Sequence, residues 1–300
     1  MLNANLMRIH LRPRFRAAVV LTAMGAFFVA PLPSEAKPSC SPSNRITVQL
    51  PDPVSGRRYE IYVSLPPDYG EKLEKSYPLV IVADGGRAFA KLRCDTRALA
   101  DSNAIAQPIL VGLSYALGEN LEDSRRRDYT PLPLPESGKV YGGAAAYQHY
   151  LSDVVLRYVD DHYRVAPRER IFWGHSYGGL LGAHILLTQP SLFQTYILGS
   201  PSFWFGNDAI FELETSFAQR QRQLDATVLL YVGGLETPRH DPSRKGKTRD
   251  MVGGMKKFEN RLRSREYDRL QVSSTVFAGR DHITSVRPGF AWGIHTALGD

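Results

Sequence analysis

The sequence predicts an α/β protein, one mainly parallel sheet of eight strands with helices on both faces. Three observations predict it. Short continuous apolar runs, the pattern of strands buried on both sides, recur along the chain. They alternate with segments of helical character, which places a helical crossover between successive parallel strands. One run, Ile171-Phe172-Trp173, passes into a helix-like segment through Gly174-His175-Ser176-Tyr177-Gly178-Gly179. A serine between glycines at a strand–turn–helix junction is the pattern of a sharp turn that presents a hydroxyl above a helix N-terminus.

Residues 46–50 and 59–65 alternate apolar and polar side chains between Pro and Gly, and read as an antiparallel edge pair. Residues 78–83 and 108–112 are continuous apolar runs that read as buried strands. Residues 171–173, 196–198 and 228–232 follow the same style, and 270–277 is the last strand. Helices are expected over residues 89–99, 144–163, 179–187, 209–222, 251–263 and 292–298. Long loops are expected over 115–143 and 234–250. Loops of that length in a compact domain are usually binding loops or lids, although a plain surface loop remains open for the second. No internal repeat or low-complexity linker divides residues 37–300, which read as a single domain.

The first 36 residues read as an export signal. Arg8, Arg12, Arg14 and Arg16 precede an uncharged stretch from Ala17 to Pro33, and Ser34-Glu35-Ala36 is a small-x-small cleavage site before Lys37. The apolar stretch is short for a membrane span, so cleavage is expected rather than a retained anchor, with no stable membrane insertion afterwards. The formal charge of +7 includes those four arginines and Glu35, so the remaining chain carries +4. That balance and the lack of a recognisable motif argue against a nucleic-acid partner. Export to a bacterial periplasm or the medium also suggests that the two cysteines, Cys40 and Cys94, pair as a disulfide, with two unpaired thiols as the alternative. Without a histidine cluster they do not form a metal site.

A serine hydroxyl becomes a nucleophile only when a base takes its proton. His184 lies eight residues along the helix after Ser176, too far to fold back. His295 reads as a packing residue and His240 belongs to the second loop. His282 follows the last strand in Ala278-Gly279-Arg280-Asp281-His282, where a loop faces the serine, and is the expected base. A carboxylate normally orients such a histidine. Glu236, just past the strand at 228–232, is the first candidate. Asp241, Glu259 or no acid at all are the alternatives, and Asp281 reads as a turn residue. Two N–H donors would hold a developing oxyanion. Tyr177 supplies one. Gly86 in Asp84-Gly85-Gly86-Arg87 supplies the other, with Arg87 as the alternative donor. Phe203 and Trp204 are candidate pocket walls, with core packing as the alternative. Arg87, Arg125, Arg126 and Arg127 are candidates for a basic rim facing an anionic substrate, or else a solvated surface run. Asp128 is expected to fix its own loop.

Several segments together resemble the esterase family of α/β-hydrolases that includes enterochelin and other ferric-siderophore esterases. They are Asp84-Gly85, Arg126-Arg127-Asp128-Tyr129-Thr130-Pro131, Gly142-Gly143 leading a long helix, and Gly174-His175-Ser176-Tyr177-Gly178-Gly179-Leu180 followed by Ser200-Pro201-Ser202-Phe203-Trp204. The resemblance implies an α/β-hydrolase fold, Ser176 as nucleophile, His282 as base, a variable acid and a small-molecule ester substrate, without cofactor or metal. It leaves the ester itself open. A siderophore-type ester is the first expectation. A carbohydrate esterase or an acyltransferase using the same residues, and an inactive secreted binding protein, are the alternatives.

Overall fold

The computed structural model describes residues 45–240 and 249–299. The expected export signal, Cys40 and Asp241 lie outside them. The eight strands are β1 (Ile46–Pro51), β2 (Arg58–Ser64), β3 (Tyr77–Val82), β4 (Ile109–Leu113), β5 (Val165–His175), β6 (Thr195–Gly199), β7 (Gln223–Gly233) and β8 (Asp268–Phe277). They form one sheet in the order β1-β2-β4-β3-β5-β6-β7-β8. β2 runs antiparallel to both β1 and β4, and all other pairings are parallel. This is the α/β-hydrolase fold.

The continuous apolar runs are explained by a sheet covered on both sides. Along β3, Leu79 and Ile81 face one core while Val80 and Val82 face the other. Along β7, Val228, Leu230 and Val232 face the first and Leu229 and Tyr231 the second. The first core is closed by α3 (Ala144–Tyr150), α5 (Tyr177–Thr188), α6 (Phe205–Arg220) and α7 (Met251–Ser264). The second is closed by α1 (Gly85–Asp101) and α8 (Val286–Leu298).

The structure departs from expectation in several elements. Residues 115–143 are not one loop, because they contain α2 (Leu121–Tyr129). Its nine residues carry six charges and no apolar stripe, so hydrophobic periodicity is blind to it. It is held by its ends and its charges: Asn120 Oδ1 accepts from the N–H groups of Glu122 and Asp123, at 2.9 and 3.3 Å. The helix expected over 144–163 is α3, a π-helical turn (Leu151–Leu156) and α4 (Arg157–His162). α8 begins six residues earlier than expected, with Pro288 tolerated in its first turn. α6 opens with a left-handed triplet, Gly206, Asn207 and Asp208, before regular helix resumes.

Candidate active site

Ser176 stands between β5 and α5 at φ 60° and ψ −118°, a conformation L-residues rarely adopt. Such a residue carries about 1–3 kcal/mol of strain and persists only where its surroundings over-determine it. The surroundings do so here. The Ser176 N–H donates to the Gly199 carbonyl at 2.8 Å, and the Leu180 N–H donates to the Ser176 carbonyl at 3.0 Å. The turn is so tight that a Cβ at Gly174 would lie 2.2 Å from the Gly178 carbonyl oxygen. Tyr177 opens α5, where a backbone N–H has no intrahelical acceptor.

His282 and Glu236 meet beside this turn. His282 Nδ1 donates to Glu236 Oε2 at 2.6 Å, and the imidazole lies 4.6 Å from the ring of His175, the residue before the serine. Glu236 is 1% exposed. Its other oxygen accepts from Ser200 Oγ at 2.6 Å and from the Gly233 N–H at 2.9 Å. Burial pushes the Glu236 carboxyl up, but the hydrogen bond and charge of His282, with the Ser200 and Gly233 donors, hold it below its ordinary value.

The loop carrying His282 is fixed at both sides. Asp281 Oδ1 accepts from the N–H groups of Ile283 and Thr284, at 2.9 and 2.8 Å. The Gly234 and Leu235 N–H groups donate to the Phe277 and Arg280 carbonyls, both at 2.9 Å. Gly233 packs so closely that a Cβ there would lie 2.5 Å from the Arg280 carbonyl oxygen. Ser176 Oγ pairs with Ser202 Oγ at 3.3 Å, and among the described residues it makes no hydrogen bond to His282.

The loop after β3 is anchored by a buried ion pair. Arg125 of α2 grips Asp84 through Nε and Nη2, at 2.6 and 2.7 Å, and Nη2 also donates to the His175 carbonyl at 3.1 Å. Tyr115 Oη donates to the same carboxylate at 2.7 Å, and the Asp84 N–H donates to Tyr129 Oη at 3.1 Å. Burial works against the Arg125 charge, but Asp84 more than offsets it and raises the guanidinium pKa. α1 therefore starts directly against the serine turn. The Arg87 N–H is already used by the Asp84 carbonyl at 2.9 Å, whereas Gly86 is in the first turn of α1.

Other sequence candidates fall elsewhere. Phe203 is a core residue, not a pocket wall. It is 1% exposed and packs on Phe258 of α7 with ring centroids 4.4 Å apart. Trp204 is partly exposed, 6.2 Å from the Tyr177 ring, with the Arg249 guanidinium 4.4 Å over it. The expected basic rim is largely neutralised. Arg87 pairs with Glu122, Arg126 with Asp123, Arg127 with Glu119 and Asp128, and Arg125 is the buried partner of Asp84. Asp128 sits in α2 rather than in a loop, and ties that helix down by also accepting from Tyr59 Oη and Ser124 Oγ.

Glu259 is engaged by Arg263 and Ser274. His295 is exposed rather than packed, and His240 pairs with Thr237. His184 is buried in α5, which lowers its pKa to about 4. Cys94 lies on α1 and is not a free thiol. Among the described residues no group of three or more His, Cys, Asp or Glu is placed to hold a metal ion, and no helix is long and apolar enough to cross a membrane. Sequence reasoning missed the Asp84–Arg125 pair and Ser202. The pair's members are 41 positions apart, and Ser202 reads as an ordinary turn serine.

An α/β-hydrolase sheet with a strained serine after its central strand defines a class of hydrolytic enzymes. Residues 53–284 match the model of the family described as "Putative esterase", and the chain belongs to that esterase family. It is an ester hydrolase. The ferri-bacillibactin esterase BesA of Bacillus subtilis is 24% identical over 244 residues, spanning 76% of this chain and 80% of that one. The siderophore triacetylfusarinine C esterase of Aspergillus fumigatus is 31% identical over 172 residues, 56% of this chain and 59% of that one. Among solved structures, the siderophore hydrolase EstB from Aspergillus nidulans superposes with a TM-score of 0.73 at 29% identity, covering 86% of this chain and 95% of that one. The BES protein from Bacillus cereus gives the same TM-score at 23% identity, covering 86% and 96%, a likeness of fold.

Proposed function

We propose that the chain is an exported serine esterase acting through an acyl-enzyme on a siderophore-type ester. The observation that carries the mechanism is the His282–Glu236 pair, 2.6 Å apart, set beside the serine turn. With Nδ1–H committed to Glu236, Nε2 is the basic nitrogen. Ser176 Oγ attacks the ester carbonyl carbon and its proton passes to His282 Nε2. The carbonyl oxygen becomes an oxyanion held by the N–H groups of Tyr177 and Gly86. The bond to the leaving alcohol breaks as His282 returns the proton to that oxygen. Water then repeats the sequence in reverse and frees Ser176. Glu236 fixes the imidazole's tautomer and steadies its cationic form.

The substrate class is supported by the activities named for the relatives and by the partly exposed Trp204 beside Tyr177, an aromatic surface that suits a flat group. Residues 1–36 serve as the export signal, and a Cys40–Cys94 disulfide ties the start of the exported chain to α1. A fluorophosphonate probe should label the wild-type protein and not Ser176→Ala. Hydrolysis of ferric and iron-free siderophores should exceed that of acetylated sugars and simple p-nitrophenyl esters in kcat/KM. Absence of wild-type labelling would overturn the mechanism, and preference for sugar esters would overturn the substrate class.

A further inference from the structure

Ser200-Pro201-Ser202, the tripeptide leaving β6, touches both ends of the site. Ser200 is fully buried at φ 35°, and its hydroxyl donates to Glu236 at 2.6 Å. Two residues on, Ser202 is 2% exposed. Its N–H donates to the Ser176 carbonyl at 3.2 Å and its hydroxyl meets Ser176 Oγ at 3.3 Å. Pro201 keeps the two hydroxyls in fixed relation and packs beneath α5, where a Cβ on Gly179 would lie 3.0 Å from the proline Cβ.

Resting on the reading of Ser176 as the nucleophile, we infer that Ser202 is a positioning residue that parks the nucleophile's hydroxyl away from His282 until substrate arrives. The argument is one of competition. Ser176 Oγ has one proton to donate, and His282 Nε2 needs that proton for attack to begin. In the resting site the Ser176 hydroxyl pairs with Ser202 and makes no hydrogen bond to His282; with Ser176 as the donor of that pair, its proton must leave Ser202 before the imidazole can take it. Ser202 cannot drift out of the contest, because its backbone is pinned to the same residue it parks. At 3.3 Å the hydroxyl pair is long, so the bias is modest. A bound ester, which fills the space above Ser176, supplies the displacement. The site is thereby less reactive toward small adventitious electrophiles than its geometry would otherwise make it.

The test compares wild-type, Ser202→Ala, Ser202→Cys and Ser202→Thr by the second-order rate of fluorophosphonate labelling, normalised to the labelled fraction at saturation, which counts folded sites. Loss of one ordinary hydrogen bond corresponds to roughly two- to tenfold. Ser202→Ala should therefore label two- to tenfold faster than wild type at every pH between 6 and 9, with the apparent pKa of the rate profile unmoved. Ser202→Thr, which keeps the hydroxyl, should stay near the wild-type rate. Hydrolysis of a large, tightly bound ester should gain less than that of p-nitrophenyl acetate. If Ser202→Ala does not yield folded protein, the near-isosteric Ser202→Cys, a weak donor, carries the same expectation. Unchanged or slower labelling of the alanine or cysteine variant, beside normally labelled wild type, would overturn the parking role. A wild-type protein that takes no label would instead overturn the serine mechanism.

Discussion

Two carboxylates are buried along the same edge of the sheet, and they are held by opposite means. Asp84 is gripped by two nitrogens of Arg125 and the hydroxyl of Tyr115. Glu236 is held by an imidazole, a serine hydroxyl and one backbone N–H. The first set contains a cation that never gives up its proton, so the pair is a fixed strut joining α2 to the loop after β3 and to the His175 carbonyl. The second set contains an imidazole that meets the carboxylate through Nδ1 alone, which leaves its other ring nitrogen uncommitted to Glu236. The contrast shows what burial alone does not: a carboxylate's partners decide whether it can serve only as a strut or is a candidate for chemistry.

The comparison is broken most completely at the serine. Ser176→Ala should remove ester turnover, a loss of about 10⁶ in kcat, while leaving both carboxylate networks intact in thermal melts. Glu236→Gln follows. The amide keeps the shape but favours the wrong imidazole tautomer, and a fall of about 10³–10⁴ in kcat with little change in KM is expected in steady-state assays. Near-normal turnover in that variant would place the orienting acid elsewhere. Arg125→Met strands a buried Asp84 carboxylate and should lower unfolding free energy by about 3–5 kcal/mol in urea titrations. The double variant Arg125→Met/Asp84→Asn should lose less than the two single changes combined.

The smallest effect is in pH. The folded-state pKa of His184 is lowered to about 4 by burial, below its unfolded value, so the unfolded chain binds the extra proton first as pH falls. Its contribution is whole above pH 6.5 and is lost on the way down to about 4, at up to about 1.4 kcal/mol per pH unit. Urea midpoints measured from pH 7.5 to 4.5 should fall, and His184→Leu should flatten that slope.

The sheet was legible because its strands are buried on both faces, and residues 228–232 could hardly be anything else. Glu236 and His282 were legible because each stands just past a strand on the edge that carries Ser176. What escaped was held together by charge or by single hydroxyls. α2 exposes no periodic apolar face, Arg125 looked like one of four arginines of a basic rim or a surface run, and Phe203 was indistinguishable from its neighbour Trp204 until the fold set it against Phe258. Ser202 stands in a segment that carries the family resemblance, but only the folded distance to Ser176 singles it out from its neighbours.

Gly233 acts as a spacer by having nothing to add. Two strand-end segments touch through the volume its missing side chain leaves, with the Arg280 and Asp281 carbonyl oxygens already 2.5 and 2.6 Å from where a methyl would begin. Alanine there would wedge the histidine loop outward and open the gap to Ser176 from the far side, without altering any residue that touches substrate. For anyone redesigning this scaffold, the gauge that sets the spacing between the His282 loop and the serine turn is a hydrogen atom.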